Sequence, residues 1–404
     1  MTATPRVLYV LSQFPCYDEA FLLREIHAVG RDVDTWVFSL RPSRDPVVHE
    51  EARALAPRTL GTAFLLSPGI LRAHLRLLWQ RPRRYLAAVL RLVAANAPSP
   101  ELLLKSLAFL PKAGWLADWA LANGVSRLHA GWATHPATVA LFVSDVTGLP
   151  FSFSGHAHDI YLDTTGLAAK LRRAEFVTTC TAANAAHLRA LAPGGEAERV
   201  AVVRHGVRLA AFGRASRGSG PLEILSVGTL HPHKGFHPLL DALALLKGEG
   251  RGFRCTIVGG GPLEAELRAR VAREGLTDRV TLTGALPQAE VLPRYARASV
   301  FVLVAQPEWH WGVPNVIVEA LASGNAVVTT RFGSVEELVR DGETGVLVPP
   351  RDPEALAAAL RRLDADEGLR ARLAAAGRAL VARDYDLERT AAWYVARFRG
   401  DERR

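Results

Sequence analysis

Leu222-Glu223-Ile224-Leu225-Ser226-Val227-Gly228-Thr229-Leu230-His231-Pro232-His233-Lys234-Gly235 runs from an apolar β-like segment, through two glycines and a lysine, into the helical pattern His237 to Leu246. A glycine loop leading from a strand into a helix start offers backbone amides to a diphosphate, and a lysine beside it adds an ammonium. Two further stretches repeat this grammar. After the run Phe253 to Val258 comes Gly259-Gly260-Gly261-Pro262, where missing side chains let a ligand approach the backbone and proline suits the first helical position. After Val300 to Val304 comes Gln306-Pro307-Glu308-Trp309-His310-Trp311-Gly312-Val313-Pro314-Asn315, followed by a helical stretch with Val316 and Glu319. Open α/β sheets bind ligands beyond the C-terminal ends of their strands, so the three loops point at one pocket.

Outward from these loops the second half reads as β-like runs at Leu222–Val227, Phe253–Val258, Val280–Leu282, Val300–Val304, Ala326–Thr329 and Val346–Val348. Helical patterns fall between them, at His237–Leu246, Leu263–Glu274, Gln288–Ala296, Pro314–Ala322 and Ser334–Val339, which predicts a doubly wound parallel sheet. The first half alternates in the same way, with β-like runs at Arg6–Leu11, Thr35–Leu40, Arg127–Ala130, Pro150–Phe153, Phe176–Thr179 and Val200–Val203. The expected fold is therefore α/β, two Rossmann-like domains facing across a cleft, with C-terminal helices packing back. Expected boundaries are 1–208, with a basic helical insertion at about 52–100, a Gly- and Ser-rich linker at 209–221, a second domain at 222–380 and a final helix at 381–404. Trp393, Tyr394 and Phe398 on that last helix are expected to dock.

The 404 residues carry 49% hydrophobic and 22% charged side chains, an ordinary globular composition that excludes disorder and small disulfide scaffolds. Cys16, Cys180 and Cys255 lie far apart without a CxxC pair, so neither a disulfide framework nor a cysteine zinc site is suggested. No uncharged run is long enough for a membrane span, and MTATPRVLYVLSQFP lacks a cleavable leader, so a cytoplasmic chain is expected. The net charge of +9 is local: Ala52 to Pro100 holds eight arginines and no acid. Leu71, Leu75 and Leu78, then Leu86, Val89, Leu90 and Val93, recur there at helical spacing. Two readings stand: amphipathic helices at the inner, anionic face of a membrane, or core-packed helices with solvated arginines. No RNA- or DNA-binding motif surrounds the patch, so nucleic acid is not expected as a partner.

In order and spacing, Val227 to Gly235 (V-G-x-L-x-x-x-K-G), Val258 to Pro262 (V-G-x-G-P) and Gly312 to Gly324 (G-x-P-N-V-x-x-E-A-x-A-x-G) resemble the retaining glycosyltransferases of family 4, which have the GT-B fold. The first half is similar to the exopolysaccharide, colanic-acid-type branch through Phe14-Pro15 with Glu19-Ala20-Phe21 and Arg24-Glu25, through His129 to Ala133, and through Phe151 to Ile160. The resemblance implies transfer of a sugar from a nucleotide-diphosphate donor to a lipid-linked or carbohydrate acceptor, with retention, no cofactor and no essential metal. It implies donor contacts at Gly228, Thr229, Lys234, Gly235, Gly259, Gly260, Pro262, Trp311, Gly312, Val313, Pro314, Asn315, Val316 and Glu319. Lys234 corresponds to the phosphate lysine, Glu319 to the ribose glutamate and His156 to the histidine near the transferred sugar. Phe14, Pro15, Glu19, His156, His158 and Asp159 fall on the acceptor side.

Three positions depart from the family pattern: Trp311 stands where an acid is usual, Thr229 where arginine is common, and Arg208 where aspartate is typical. Glu308 is a candidate replacement acid, and His231, His233 or Arg204 a candidate replacement cation. These departures motivate the alternative of a non-catalytic nucleotide-sugar-binding protein. Competing chemistries fare worse. The Asp-x-Asp triplets at 32–34, 364–366 and 384–386 do not follow strands, His156-x-His158-Asp159 lacks the remaining scaffold of a zinc site, and the first β-run is not followed by GxGxxG.

Overall fold

The computed structural model describes residues 4–45, 49–62, 67–192, 194–213, 220–309 and 312–401. The first sheet is built from β1 (Arg6–Phe14), β2 (Asp34–Pro42), β3 (Thr59–Leu60), β4 (Arg127–Ala130), β5 (Phe151–Gly155), β6 (Val177–Thr179) and β7 (Val200–Val202). Its order is β3-β2-β1-β4-β5-β6-β7, with every pairing parallel. The second comprises β8 (Leu222–Val227), β9 (Phe253–Val258), β10 (Val280–Leu282), β11 (Val300–Leu303), β12 (Ala326–Thr330) and β13 (Val346–Val348). Its order is β10-β9-β8-β11-β12-β13, also all parallel. Both sheets are therefore of the expected Rossmann-like class. In each the strand order reverses beside the first strand, at β1/β4 and at β8/β11, which opens a crevice at the strand C-termini.

The chain divides into two compact units, residues 1–204 with 389–404, and residues 205–388. This differs from the expected boundaries. The second unit begins at His205 rather than after residue 221, because Val207 and Phe212 are buried in its core. Residues 214–219 of the expected linker lie outside the described residues. The stretch read as a final helix at 381–404 is instead the end of one helix, Glu367–Asp384, and a second, Leu387–Arg399. The expected helix at Ser334–Val339 is a short 3-10 turn, Val335–Glu337, that Thr344 terminates. Its hydroxyl donates to the carbonyl of Leu338 at 2.9 Å and accepts from the amide of Arg340 at 2.9 Å. The two-residue edge strand β3 carries too little pattern to be read from sequence.

The basic stretch forms helices Pro68–Gln80 and Pro82–Asn96, each entered through a proline at the first turn. They bury a face other than the one the leucine spacing suggested. Ile70, Ala73 and Leu77 of the first and Tyr85, Ala88 and Leu92 of the second face the core, while Leu71, Leu75, Leu78, Leu86 and Leu90 are exposed. Core packing thus accounts for one side of each helix and leaves a second apolar row in solvent.

Tyr394 and Phe398 do dock, and against the first unit's own sheet: both are buried, with Phe398 edge-on to Tyr9 and His129. The Tyr394 hydroxyl lies 2.9 Å from the Thr178 hydroxyl and 3.3 Å from that of Ser154. Ser154 in turn lies 3.1 Å from Nε2 of His129, whose Nδ1 meets the Ser152 hydroxyl at 2.8 Å. Glu25 is buried at the same place. Burial pushes its carboxyl up to about 8 against the pull of a hydrogen bond from Tyr394, and burial pushes His129 down to about 3. Both groups are neutral at pH 7, so the last helix is held by a network of uncharged hydrogen bonds and aromatic edges.

These shifts give the first unit a defined pH response. Folded Glu25 keeps its proton between 4.5 and about 8 while the unfolded chain releases it, so its contribution is lost as pH rises through that window. Folded His129 stays neutral between about 3 and 6.5 while the unfolded chain takes up a proton, so its contribution grows with pH and is complete above 6.5. The two oppose each other between 4.5 and 6.5; above 6.5 Glu25 dominates until about 8, where Lys170 begins to lose its proton in the folded state. Thermal melts are expected to show stability falling between pH 6.5 and about 8, by an amount on the order of 1 kcal/mol or more, and Glu25→Gln to flatten that fall.

Candidate functional site

In the second unit the three glycine loops are bonded to one another through their backbones. The amide of Gly228 donates to the carbonyl of Val258 at 3.0 Å, that of Leu230 to Gly260 at 2.9 Å, and that of Gln306 to His233 at 2.8 Å. Gly235 has φ 79° and sits beneath the carbonyl of Val304, which a Cβ would overlap. Gly259, at φ 146°, meets the carbonyl of Gly228 in the same way. Glycine is required at both, by backbone conformation and by space. Lys234 ends the 3-10 turn Pro232–Lys234 and is half-buried, directly before the Gly235 turn into helix Phe236–Gly248.

Glu319 stands in the second turn of helix Asn315–Ser323 and is 7% exposed. Its Oε1 accepts from the side-chain amide of Gln288 at 3.1 Å and its Oε2 from the hydroxyl of Tyr295 at 3.1 Å. The two donors fix the orientation of the carboxylate. At the start of this helix, capped by Pro314 without a side-chain bond, the Asn315 side chain lies 3.2 Å from Nδ1 of His205. The amides of Asn315 and Val316 belong to the first turn, which has no intrahelical acceptor and carries the positive end of the helix dipole.

The first unit has its own cluster at the strand C-termini. His156 follows β5 and is buried, with its ring edge-on to Trp132 at 4.7 Å and to Phe21 at 5.2 Å. Phe21 comes from the helix after Phe14, Pro15 and Glu19, and Trp132 from the loop after β4, so a helix and a loop converge on the His156 imidazole. Nε2 of His156 is 3.0 Å from the carbonyl of Gly131, which can only accept, so this nitrogen carries the proton. Burial lowers the pKa of the ring, against the field of Asp159, and holds it neutral. Nδ1 is then the acceptor nitrogen.

Asp159 is buried, and backbone amides engage both of its carboxylate oxygens. It accepts from the backbone amides of His156 at 3.0 Å, Ala157 at 2.8 Å and Ala133 at 3.0 Å, tying the β4 and β5 loops together. Lys170 supports the same corner, donating to the carbonyls of Ala133 at 2.6 Å and Thr134 at 3.1 Å, and burial pulls its ammonium down to about 8. Asn184 donates to the carbonyl of His156. His158 is exposed and tilts over Trp132 at 5.3 Å.

The structure therefore groups Gly228, Thr229, Lys234, Gly235, Gly259, Gly260 and Pro262 with the Gly312–Glu319 segment along one edge of the second sheet. Trp311 lies outside the described residues. Glu308 pairs with Arg351 at 3.0 Å on an exposed surface. Burial, then Lys234 and His231, lower the pKa of His233, and its ring stacks on His231 at 5.5 Å. Arg208 lies 4.0 Å from Glu388. Sequence reading missed Gln288, Tyr295, Lys170 and Asn184, because each acts on a residue 24 to 37 positions away and none sits in a recognisable pattern.

Residues 221–366, which include all of β8 to β13, match the family Glycosyl transferases group 1. The amylovoran biosynthesis glycosyltransferase AmsK of Erwinia amylovora is 35% identical over 201 residues, 48% of this chain and 49% of that protein. The putative colanic acid biosynthesis glycosyltransferase WcaL of Escherichia coli K12 is 38% identical over 179 residues, 42% of this chain and 44% of the relative. The chain thus matches about half the length of these relatives. Among solved structures, that of Anabaena HepE in complex with UDP superimposes with a TM-score of 0.73 over 98% of this chain and 100% of the other, at 18% identity. This likeness shows the fold, the architecture of GT-B glycosyltransferases. Among the described residues no helix is long and apolar enough to cross a membrane.

Proposed function

We propose that this chain is a glycosyltransferase that moves a sugar from a nucleotide-diphosphate donor to a lipid-linked or carbohydrate acceptor in exopolysaccharide or related glycoconjugate synthesis, with retention and without a metal. The observation that carries the reading is the second unit's edge. Three backbone-bonded loops, two of them with glycines that cannot be replaced, present Lys234 and a preoriented Glu319 at one topological switch point. The match of residues 221–366 to the glycosyl transferases, and the exopolysaccharide roles in the names of AmsK and WcaL, support it. HepE, whose structures hold UDP and UDP-glucose, makes a uridine nucleotide the first donor to test.

Cleavage of the anomeric bond leaves negative charge on the departing diphosphate and positive charge on the sugar ring. Lys234 and the first-turn amides of helix Asn315–Ser323 answer the first with fixed positive charge and dipole, which is why no cation is required. Glu319, held by Gln288 and Tyr295, accepts from the ribose diol. Neutral His156, with its proton committed to Gly131, accepts through Nδ1 from a hydroxyl of the transferred sugar or acceptor. Phe14, Pro15 and Glu19 lie on the same acceptor side.

The test begins with thermal shifts against a panel of nucleotide sugars, in which the donor raises the melting temperature by mass action, and continues with transfer assays. Lys234→Ala is expected to lower kcat/KM about a hundredfold with an unchanged melt. Gln288→Leu and Tyr295→Phe are each expected to raise the donor KM by up to about tenfold through loss of one orienting bond. Unaltered kinetics in all three variants exclude this donor site. His156→Ala is expected to reduce kcat more than donor affinity, and a variant that lost only nucleotide binding would place the histidine elsewhere. Activity is expected to survive EDTA; complete inhibition reversed by Mg²⁺ or Mn²⁺ contradicts the assignment of leaving-group charge to Lys234 and the helix amides.

A further inference from the structure

Eight of the nine exposed large hydrophobic side chains among the described residues lie on three consecutive helices of the first unit, Pro68–Gln80, Pro82–Asn96 and Pro100–Ala122. Single exposed leucines are ordinary, but a concentration of this kind marks an interaction surface. On the first helix Leu71, Leu75 and Leu78 occupy one stripe and Trp79, 88% exposed, extends it. On the second, Leu86 and Leu90 form an equivalent row. These are not faces left open by a loose core, since the opposite sides of the same helices are fully packed.

One side chain binds the three helices into a block. His74, on the first, lies 2.6 Å from the hydroxyl of Tyr85 on the second and 3.1 Å from the carbonyl of Pro111 on the third. The arginines decide what the block meets. Arg76 and Arg91 are paired with Asp118 and Asp145, but among the described residues Arg72, Arg83 and Arg84 are exposed with no carboxylate partner. At 100° per residue Arg72 falls beside the Leu71 stripe and Arg83 beside the Leu86 row, so apolar side chains are flanked by unpaired positive charge. Another protein patch would need its own acids to answer these charges. A sheet of anionic lipid headgroups over acyl chains answers both the arginines and the leucines.

From the exposed leucines and tryptophan and the unpaired arginines beside them, we infer that this helical block docks on an anionic phospholipid surface. The aliphatic and indole side chains enter the headgroup boundary and the guanidinium groups stay at the phosphate level. The inference concerns attachment alone and stands apart from the transfer reaction, since none of these residues belongs to the donor or acceptor loops.

The full chain is sedimented with vesicles of phosphatidylglycerol and phosphatidylcholine, and with phosphatidylcholine alone, at low and high salt. Wild type is expected to pellet with the anionic vesicles, less so as salt rises, and to remain in the supernatant with the neutral ones. Replacing Arg72 and Arg83 together by Gln is expected to weaken binding about twenty-fivefold, at about fivefold per arginine. Replacing Leu71, Leu75 and Trp79 together by Ser is expected to reduce binding at low salt as well, with the melting temperature unchanged because all three are exposed. The inference is overturned if wild type stays in the supernatant with anionic vesicles at low salt. It is equally overturned if the serine variant binds like wild type, which leaves only nonspecific electrostatic adsorption. Light scattering supplies the remaining refutation: a wild-type dimer that the serine variant abolishes, without vesicle binding, makes the surface an interface between copies of this chain.

Discussion

The backbone-to-backbone contact between turns at the C-terminal edge of the second sheet is the constraint on which the candidate site depends. Gly235 under Val304 and Gly259 against Gly228 leave no volume for a side chain, so the β8, β9 and β11 loops approach until their amides and carbonyls pair. A lysine at the last position before Gly235 is then held by a turn whose geometry is not adjustable. A charged side chain on a long flexible stem loses much entropy when it is fixed on a ligand; seating its backbone in advance removes part of that cost. The same contact brings the start of helix Asn315–Ser323, whose first-turn amides carry partial positive charge, onto the edge that Lys234 occupies.

The two units use polar burial differently. In the second, the buried carboxylate of Glu319 is directed by two donors on one neighbouring helix. In the first, the buried carboxylate of Asp159 accepts from three backbone amides and ties two loops together. A third carboxyl, Glu25, is kept neutral by burial. The residue type alone does not separate these roles. The kind of donor that the fold brings to each group does: side chains of one helix to Glu319, backbone amides of two loops to Asp159.

That is also the measure of what the sequence disclosed. The strands of the second sheet were legible nearly to the residue, because short β-branched runs between glycine turns and amphipathic helices permit few alternatives. Lys234 and Glu319 were legible from their place after strands. Their supports were not, since Tyr295 reads as one more aromatic in an amphipathic helix and Gln288 as a surface amide. The basic helices show the limit of periodicity. Leucines and smaller apolar residues share nearly the whole circumference of each helix, so spacing identified a face but not the one that packs; the arginine count could not decide it either, because Ala73 and Ala88 fit against the core where larger side chains do not.

The chain's return at residue 389 follows from how the second unit closes. Val207 and Asp386 form a parallel bridge, with the Val207 amide donating to Tyr385 at 2.8 Å and the Leu387 amide to Val207 at 3.3 Å. Gly206 lies against the backbone of Leu387, where a Cβ would collide. The incoming and outgoing segments of this unit are therefore paired side by side, which is the condition under which a domain can be inserted into another without disturbing either core. Across the boundary the pairing continues within the first unit, where the Thr390 hydroxyl donates to the carbonyl of Arg204 at 2.9 Å. From there the last helix has only one apolar row to bury, and Tyr394 and Phe398 bury it on the first sheet beside Tyr9 and His129. The aromatic end of the chain is thus part of the first unit's core, although more than 180 residues of a separate unit intervene in sequence.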